Sequence, residues 1–432
     1  MNKTSYLLLI LIFLSGCSFD RDSSFWSSTK KIELEKNYKQ ILKKEVVIGQ
    51  KLNSTLKVKL DTKSLANSSS KEQLNNDGIY DFDGDLKKIS RFSFSKIENF
   101  NDYEPTISFN KNNIIFFDNK GTILQFNNNS KLIWKKNYYT KSEKKLKPIL
   151  QFANNGTNLI VADNIAKYYL LDLKTGNLIW SKSNMSPFNS QIKIYKDKFF
   201  LVDFSNTLRC FSLKNGNELW KISTENSLIR SQKKLSLVIH KGKILFNNSI
   251  GDISAVDINK GQLLWQLPTQ SSLIYESAFS LETSDLVADN KSLFFSNNRN
   301  QFFSVDLDTG SFNWENKINS HLRPSIVGKL LFTISLEGFL IVIEKNSGNI
   351  IRVTDLLSDI KEKKRDKFKP SGFVVGLEKL YLSTNNGRLL VIDIASGKTV
   401  ATLKIDNEKI SRPFVMEKNL FVIKDNAIIK LN

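Results

Sequence analysis

From about residue 88 onward, apolar and polar positions alternate in runs of four to eight residues, broken by Gly, Asn, Asp and Ser. Successive strand residues point to opposite faces of a sheet, so a two-residue period predicts β-strands; no long stretch carries helical spacing. The order of the strands repeats. A short apolar strand, such as PSIVG after Arg323, precedes a more apolar one, such as LLFTIS at 330–335. A polar turn leads to a third strand, LIVIEK or LLVIDI, and a second turn resembling D-x-x-T-G opens a fourth.

That fourth strand carries the most regular signal in the chain. Trp134, Trp180, Trp220, Trp265 and Trp314 each stand four residues after a turn residue: Ser130, Gly176, Gly216, Gly261 and Gly310. Two further copies keep the frame without the indole, placing Arg352 four after Gly348 and Ala401 four after Gly397. From Ser130 to Gly397 the steps are 46, 40, 45, 49, 38 and 49 residues. A period in the forties is the length of one four-stranded propeller blade. The turn chemistry is physical: Asp, Asn or Ser caps the bend, and Gly takes a left-handed conformation at no steric cost. An indole four residues later points into the gap between neighbouring blades and buries a large apolar area. The five tryptophans are therefore read as docking residues of the core, with none assigned to a ligand.

Seven turn motifs give seven blades. After Ala401 the chain offers another opening, SRPFVMEKNLFVIKDNAIIKLN, which stops at Asn432 with three strands. An unpaired sheet edge is a liability, and KISRFSFSKI at 88–97 is the natural donor of the missing strand. The expected fold is thus all-β, an eight-bladed propeller of four-stranded antiparallel blades closed by an N-terminal strand. A seven-bladed ring with an external tail is the alternative.

The chain has 432 residues, and its 63 Lys and Arg against 43 Asp and Glu give a net charge of +20. Such a balance suits anionic lipid or an acidic partner. Lysines scattered through turns, with Asn, Ile and Phe overused and Arg scarce, point instead to composition. The first residues, MNKTSYLLLILIFLSGC, combine basic Lys3, an apolar run from Tyr6 to Leu14, and Leu14-Ser15-Gly16-Cys17. The run is too short to span a bilayer, and the ending resembles a bacterial lipobox. Residues 1–16 then form a lipoprotein signal peptide, and Cys17 is the lipidated, mature N-terminus. Ser18, where Asp would favour inner-membrane retention, predicts the periplasmic face of the outer membrane, and export argues against nucleic acid as a partner. Residues 17–87 are polar and aperiodic, and are expected to be a flexible tether, with a short helix at ELEKNYKQILKK. The propeller then occupies 88–432. Cys210 has no partner and is read as a small apolar core residue.

Catalytic inventory is thin. His240 and His321, the two histidines, fall in connections and are read as surface residues. No metal-ligand spacing, nucleophile elbow or phosphate-cradling Gly loop occurs. Asp172, Asp257, Asp306 and Asp393 recur once per blade, which marks a turn role. Neither a metal, a cofactor nor an enzymatic activity is expected.

The D-x-x-T-G-x-x-x-W unit resembles the PQQ-like repeat of quinoprotein dehydrogenases and their non-enzymatic relatives. The dehydrogenases pair a quinone with adjacent cysteines and a Glu/Asn/Asp calcium site, and this chain has no adjacent cysteines. With the lipobox and the tether, the pattern resembles the propeller lipoproteins of the outer-membrane β-barrel assembly machine. That resemblance implies a scaffold that aids folding and insertion of outer-membrane proteins. Its partners would be BamA, other subunits of the machine and unfolded outer-membrane proteins, with a lipid anchor in the membrane. It also implies that Leu228, Ile229 and Arg230 contact BamA: Ile229 and Arg230 match the last two positions of an L-x-L-R-like segment, while Ser227 departs from its first Leu. LETSDLVAD offers Glu282 and Asp285 for the family's acidic pair, on a looser match. A PQQ-type oxidoreductase and a propeller that binds cell-wall or small ligands in its channel are the competing readings.

Overall fold

The computed structural model describes residues 51–60, 65–66, 76, 79–224, 233–269 and 281–432. Cys17, the helix expected at 33–44 and the Leu228-Ile229-Arg230 segment lie outside these residues. Eight four-stranded sheets form the blades of a closed propeller. Blades 1 to 4 span 108–136, 150–183, 193–223 and 237–267; blades 5 to 7 span 287–316, 325–355 and 370–404. Blade 8 joins 414–431 to the strand Lys88–Ser93, which pairs antiparallel with Ala427–Leu431. Backbone bonds between Lys87 and Asn432, 2.9 and 3.0 Å, seal the end of that pair. The ring closes as the strand count predicts, with eight blades.

Blade 2 shows how sequence becomes sheet. Its strands are Leu150–Asn154, Asn158–Asp163, Lys167–Asp172 and Leu178–Ser183, running outward from the axis. The two middle strands are buried almost throughout, because neighbouring blades cover both faces, and so they read as apolar runs. The outermost strand alternates exposed and half-buried residues. Between the third and fourth strands, Asp172 Oδ1 accepts from the Thr175 amide and hydroxyl, both at 2.7 Å, and its carbonyl accepts from Gly176 N at 2.8 Å. A register shift falls at Leu170/Leu171, and equivalent shifts recur in blades 1 and 3 to 7.

The turn glycine has a second role. Gly176 adopts φ +70°, and a Cβ there would stand 2.8 Å from the Trp134 ring of the preceding blade. The same approach joins Trp180 to Gly216, Trp220 to Gly261, Trp265 to Gly310 and Trp314 to Gly348. Each indole thus lies on the turn of the next blade. Trp180, Trp265 and Trp314 also donate through Nε1 to the carbonyls of Leu213, Leu307 and Lys345, at 3.1, 3.2 and 2.9 Å. In blade 6 Arg352 takes the indole's place, fully buried against the turn of Gly397.

Parts of the expected tether are packed against the ring. Residues 52–58 lie along the seam of blades 6 and 7, with Val58 buried beside Leu356, Leu357 and Ile394. Asn76, Tyr80 and Phe82 are also buried, and Phe82 packs on Tyr381 with ring centroids 4.9 Å apart. Over these stretches the tether reading is corrected. Val58, Tyr80 and Phe82 supply apolar anchors too sparse to register as a period.

Candidate functional site

Every innermost strand starts near the axis, so the connections leading into those strands converge on one end of the central channel. Glu104 precedes blade 1, Lys233 and Lys234 precede blade 4, and Glu282 and Asp285 precede blade 5. His321 and Arg323 precede blade 6, and Lys409 and Arg412 precede blade 8. Together they make a charged mouth around a cavity of about 530 Å³, lined by Tyr103, Glu104, Lys233, Glu282, His321 and Lys409 among others.

Each of the three carboxylates, Glu104, Glu282 and Asp285, faces a basic partner. Arg323 places Nη2 and Nε at 2.5 and 2.7 Å from Asp285 Oδ2. Burial alone would raise the Asp285 carboxyl, but Arg323, Lys233, Lys234 and Arg412 hold it below the usual range. Lys233 Nζ stands 3.9 Å from Glu104 and donates to the His321 carbonyl, while Lys234 Nζ reaches the Glu104 carbonyl at 3.3 Å. Glu104 is held low by Lys233, Lys234 and Lys409, against an opposing effect of burial that is the largest single influence. The Glu282 carboxylate pairs with His321 Nδ1, and chiefly through that bond its pKa falls to about 2. Burial pushes the Lys409 ammonium down, opposed by Glu104 and Glu282.

His321 is therefore not the ordinary surface residue that its place in a connection suggested; it belongs to this network. His240 ends the strand Leu237–His240 and is half-buried, and its pKa is lowered by burial and Lys241. Glu282 and Asp285 come together at the mouth. The five tryptophans lie between blades, away from it. Sequence reasoning missed Glu104, Lys233, Lys409 and Arg323 because each occurs once, in a connection outside the repeat.

Deeper in the channel, Asn76 donates to the Leu286 carbonyl at 2.9 Å and accepts from the buried Lys193 ammonium at 2.9 Å. Its Nδ2 also approaches Gln191 Oε1 and the Leu237 carbonyl, both at 3.4 Å. A residue from outside the blades thus bridges the innermost strands of blades 3, 4 and 5. A ligand in this channel would share it with the chain's own N-terminal segment.

The residues present do not fit a quinone held in the dehydrogenase manner. Cys17 and Cys210 are the chain's two cysteines, far from adjacent. Cys210 is buried in blade 3, where desolvation pushes its thiol up to about 12. At the mouth, Lys233, His321 and Arg323 already face carboxylates. Among the described residues no cluster of three or more His, Cys, Asp or Glu is arranged to hold a metal.

Comparison with solved structures agrees with the propeller. BamB from Moraxella catarrhalis superposes with a TM-score of 0.65 at 15% identity, covering 80% of this chain and 99% of that one. The computationally designed Ika8 protein gives 0.60 at 13% identity, over 78% and 99%. The quinohemoprotein alcohol dehydrogenase ADHIIG from Pseudomonas putida HK5 gives 0.61 at 10% identity, over 81% and 76%. At such identities these likenesses concern the fold. No curated protein matches the chain in sequence. The family described as outer membrane protein assembly factor BamB does match, from residue 119 to residue 354, across more than half of the chain. With the docked indoles, the shared turn glycines and the closed eight-bladed ring, that match shows that the chain belongs to the BamB family of PQQ-like propellers.

Proposed function

We propose that this protein is a non-enzymatic scaffold of the outer-membrane β-barrel assembly machinery, aiding the folding and insertion of outer-membrane proteins. The observation that carries the reading is the family match from blade 1 into blade 6. The three carboxylates of the mouth support it, since groups already matched to basic partners are poorly placed to polarise a substrate. The chain is held at the periplasmic face of the outer membrane through lipidated Cys17. Its partners are BamA, other subunits of the machine and unfolded outer-membrane proteins. Leu228, Ile229 and Arg230 meet BamA; in sequence they fall between Thr224, which follows blade 3, and Lys233. A guanidinium beside apolar neighbours combines bidentate hydrogen bonding with buried area, which suits the centre of an interface.

Affinity purification from membranes in mild detergent tests the reading. Recovery of BamA with the bait, and its loss with Arg230→Glu, is the expected result. A bait that recovers no assembly subunit, or that carries an absorbing quinone, would sink it.

A further inference from the structure

The seam between blades 6 and 7 is sealed differently from the five seams that an indole seals. Arg352 stands at the indole position, and its guanidinium donates to two carbonyls of blade 7: Nη2 to Ile394 O at 2.8 Å and Nη1 to Ala395 O at 2.6 Å. This reproduces, with a cation, the indole-to-carbonyl bond of Trp180, Trp265 and Trp314. Arginine has more donors than an indole, and Nη1 also reaches Leu56 O at 3.1 Å. That third acceptor lies in an N-terminal segment nearly 300 residues earlier in the chain.

The segment meets the edge of blade 6 through a single bridge. Leu52 exchanges both backbone bonds with Val353 on the outermost strand of blade 6, at 3.2 and 2.9 Å. Asn53 Nδ2 reaches Ile351 O at 3.1 Å, and Val58 N donates to Ala395 O at 3.1 Å. The Val58 side chain enters the apolar cluster of blades 6 and 7. From 51 to 57 every residue is exposed, with Leu52 at 44% and Leu56 at 43%. A buried arginine and a sheet edge are thus covered by a thin, solvent-facing strap, fixed by one backbone pair, two carbonyls and one aliphatic side chain.

We propose that this seam is a binding site for an extended polypeptide segment of a partner chain, held closed here by residues 52–58. Recognition has three parts. Arg352 reads a backbone carbonyl, the Val353 edge takes a β-strand, and the Leu356–Leu357 pocket takes an aliphatic side chain two residues after that carbonyl. Edge addition of this kind draws affinity from main-chain bonds and specificity from alternate side chains. The strap pairs with the edge at Val353 alone, so a longer extended segment gains bonds that the strap leaves unmade. The inference stands without the scaffold reading, because it rests on the seam alone.

The test uses the full chain with residues 51–60 replaced by a Gly-Ser linker of equal length, beside the intact chain. The probe is a fluorescein-labelled peptide of residues 51–60, KLNSTLKVKL, followed by anisotropy. Saturable binding to the strapless chain is expected, with binding to the intact chain weaker by about tenfold or more. Arg352→Trp in the strapless chain restores the indole of the other seams and should weaken the peptide about tenfold, as should Asp in place of Val at the peptide's eighth position. A second peptide that keeps the carbonyl-to-valine spacing, with alanine at the remaining positions, should still compete. If the strapless chain fails to fold, Val58→Asp in the otherwise intact chain opens the seam instead. Equal binding by the open and intact chains, no saturable binding by a folded open chain, or indifference to Arg352→Trp would overturn the proposal.

Discussion

Blades 1 to 5 and blades 6 to 8 solve one packing problem in two ways. Around the first group, an indole from each blade lies on the turn glycine of the next, so the outer part of every seam is made by residues inside the repeat. Around the second group the indole is gone. Arg352 and a strap from 52–58 fill one seam, Ala401 leaves the next without a large docking side chain, and strand 88–93 completes the last sheet. The first side is closed by local sequence, whereas the second depends on segments that arrive from before the first blade. A repeat protein can therefore lose its own docking residue where another part of the chain supplies the contact.

The sharpest way to break this comparison is to remove residues 86–97. Blade 8 would keep three strands and an open edge, and cooperative thermal unfolding should be lost or shifted far downward in circular dichroism. A ring that melts as before would mean that the N-terminal strand is dispensable to the irregular side.

On the regular side, Trp265→Ala should cost about 3 kcal/mol, in the range for deleting a packed aromatic side chain. Gly310→Ala should cost more than about 1 kcal/mol, because φ +74° and the Trp265 ring 2.7 Å away both oppose a Cβ. Urea midpoints at unchanged slope measure both. Midpoints equal to that of the parent protein would deny the indole-on-glycine seam its role.

The Glu282–His321 pair bridges the entries to blades 5 and 6, where the two sides meet. Its carboxyl is depressed from the ordinary 4.5 to about 2. The stability it contributes is present above the unfolded value and is lost as pH falls from about 4.5 toward 2. Melting temperature should decline over that window, and less steeply in Glu282→Gln. Parallel declines in the two proteins would remove the pair from the account.

The smallest effect is expected at Arg230→Glu, which should change stability by no more than about 0.5 kcal/mol. Binding to BamA should nevertheless weaken by about 2 kcal/mol or more, measured beside the melting temperature. A mutant that melts normally and binds as before would move the contact to another part of the protein.

Much of this architecture was legible because its determinants are close in sequence. Gly176 and Trp180 repeat at fixed spacing, and the spacing marks both the turn and the seam it serves. The closing strand was legible by subtraction, since three strands after Ala401 required a fourth. Arg352 was visible as a departure from the repeat, but its role was not, because Leu56 lies 296 residues away and nothing periodic points to it. The mouth was hidden for a related reason. Lys233, His321, Arg323 and Lys409 are single residues in unlike connections, brought together only when the ring closes. Asn76 sits in a polar stretch whose composition reads as tether, and one asparagine side chain leaves no pattern.

The pairing of Lys88–Ser93 with Ala427–Leu431 also bears on the order of events at synthesis. One partner emerges before the first blade and the other after the seventh. Blades 1 to 5 can form their internal hairpins as they appear, since those contacts span few residues. The final sheet must wait for residues 427–431, and its closure carries the entropy of a loop as long as the propeller itself. Contacts of such long range slow folding, so the rate-limiting step should be the meeting of the two ends rather than the formation of any blade. Until then the unpaired edge of 427–431 stays open to any passing strand, which makes the interval between emergence and closure the time of greatest exposure to aggregation.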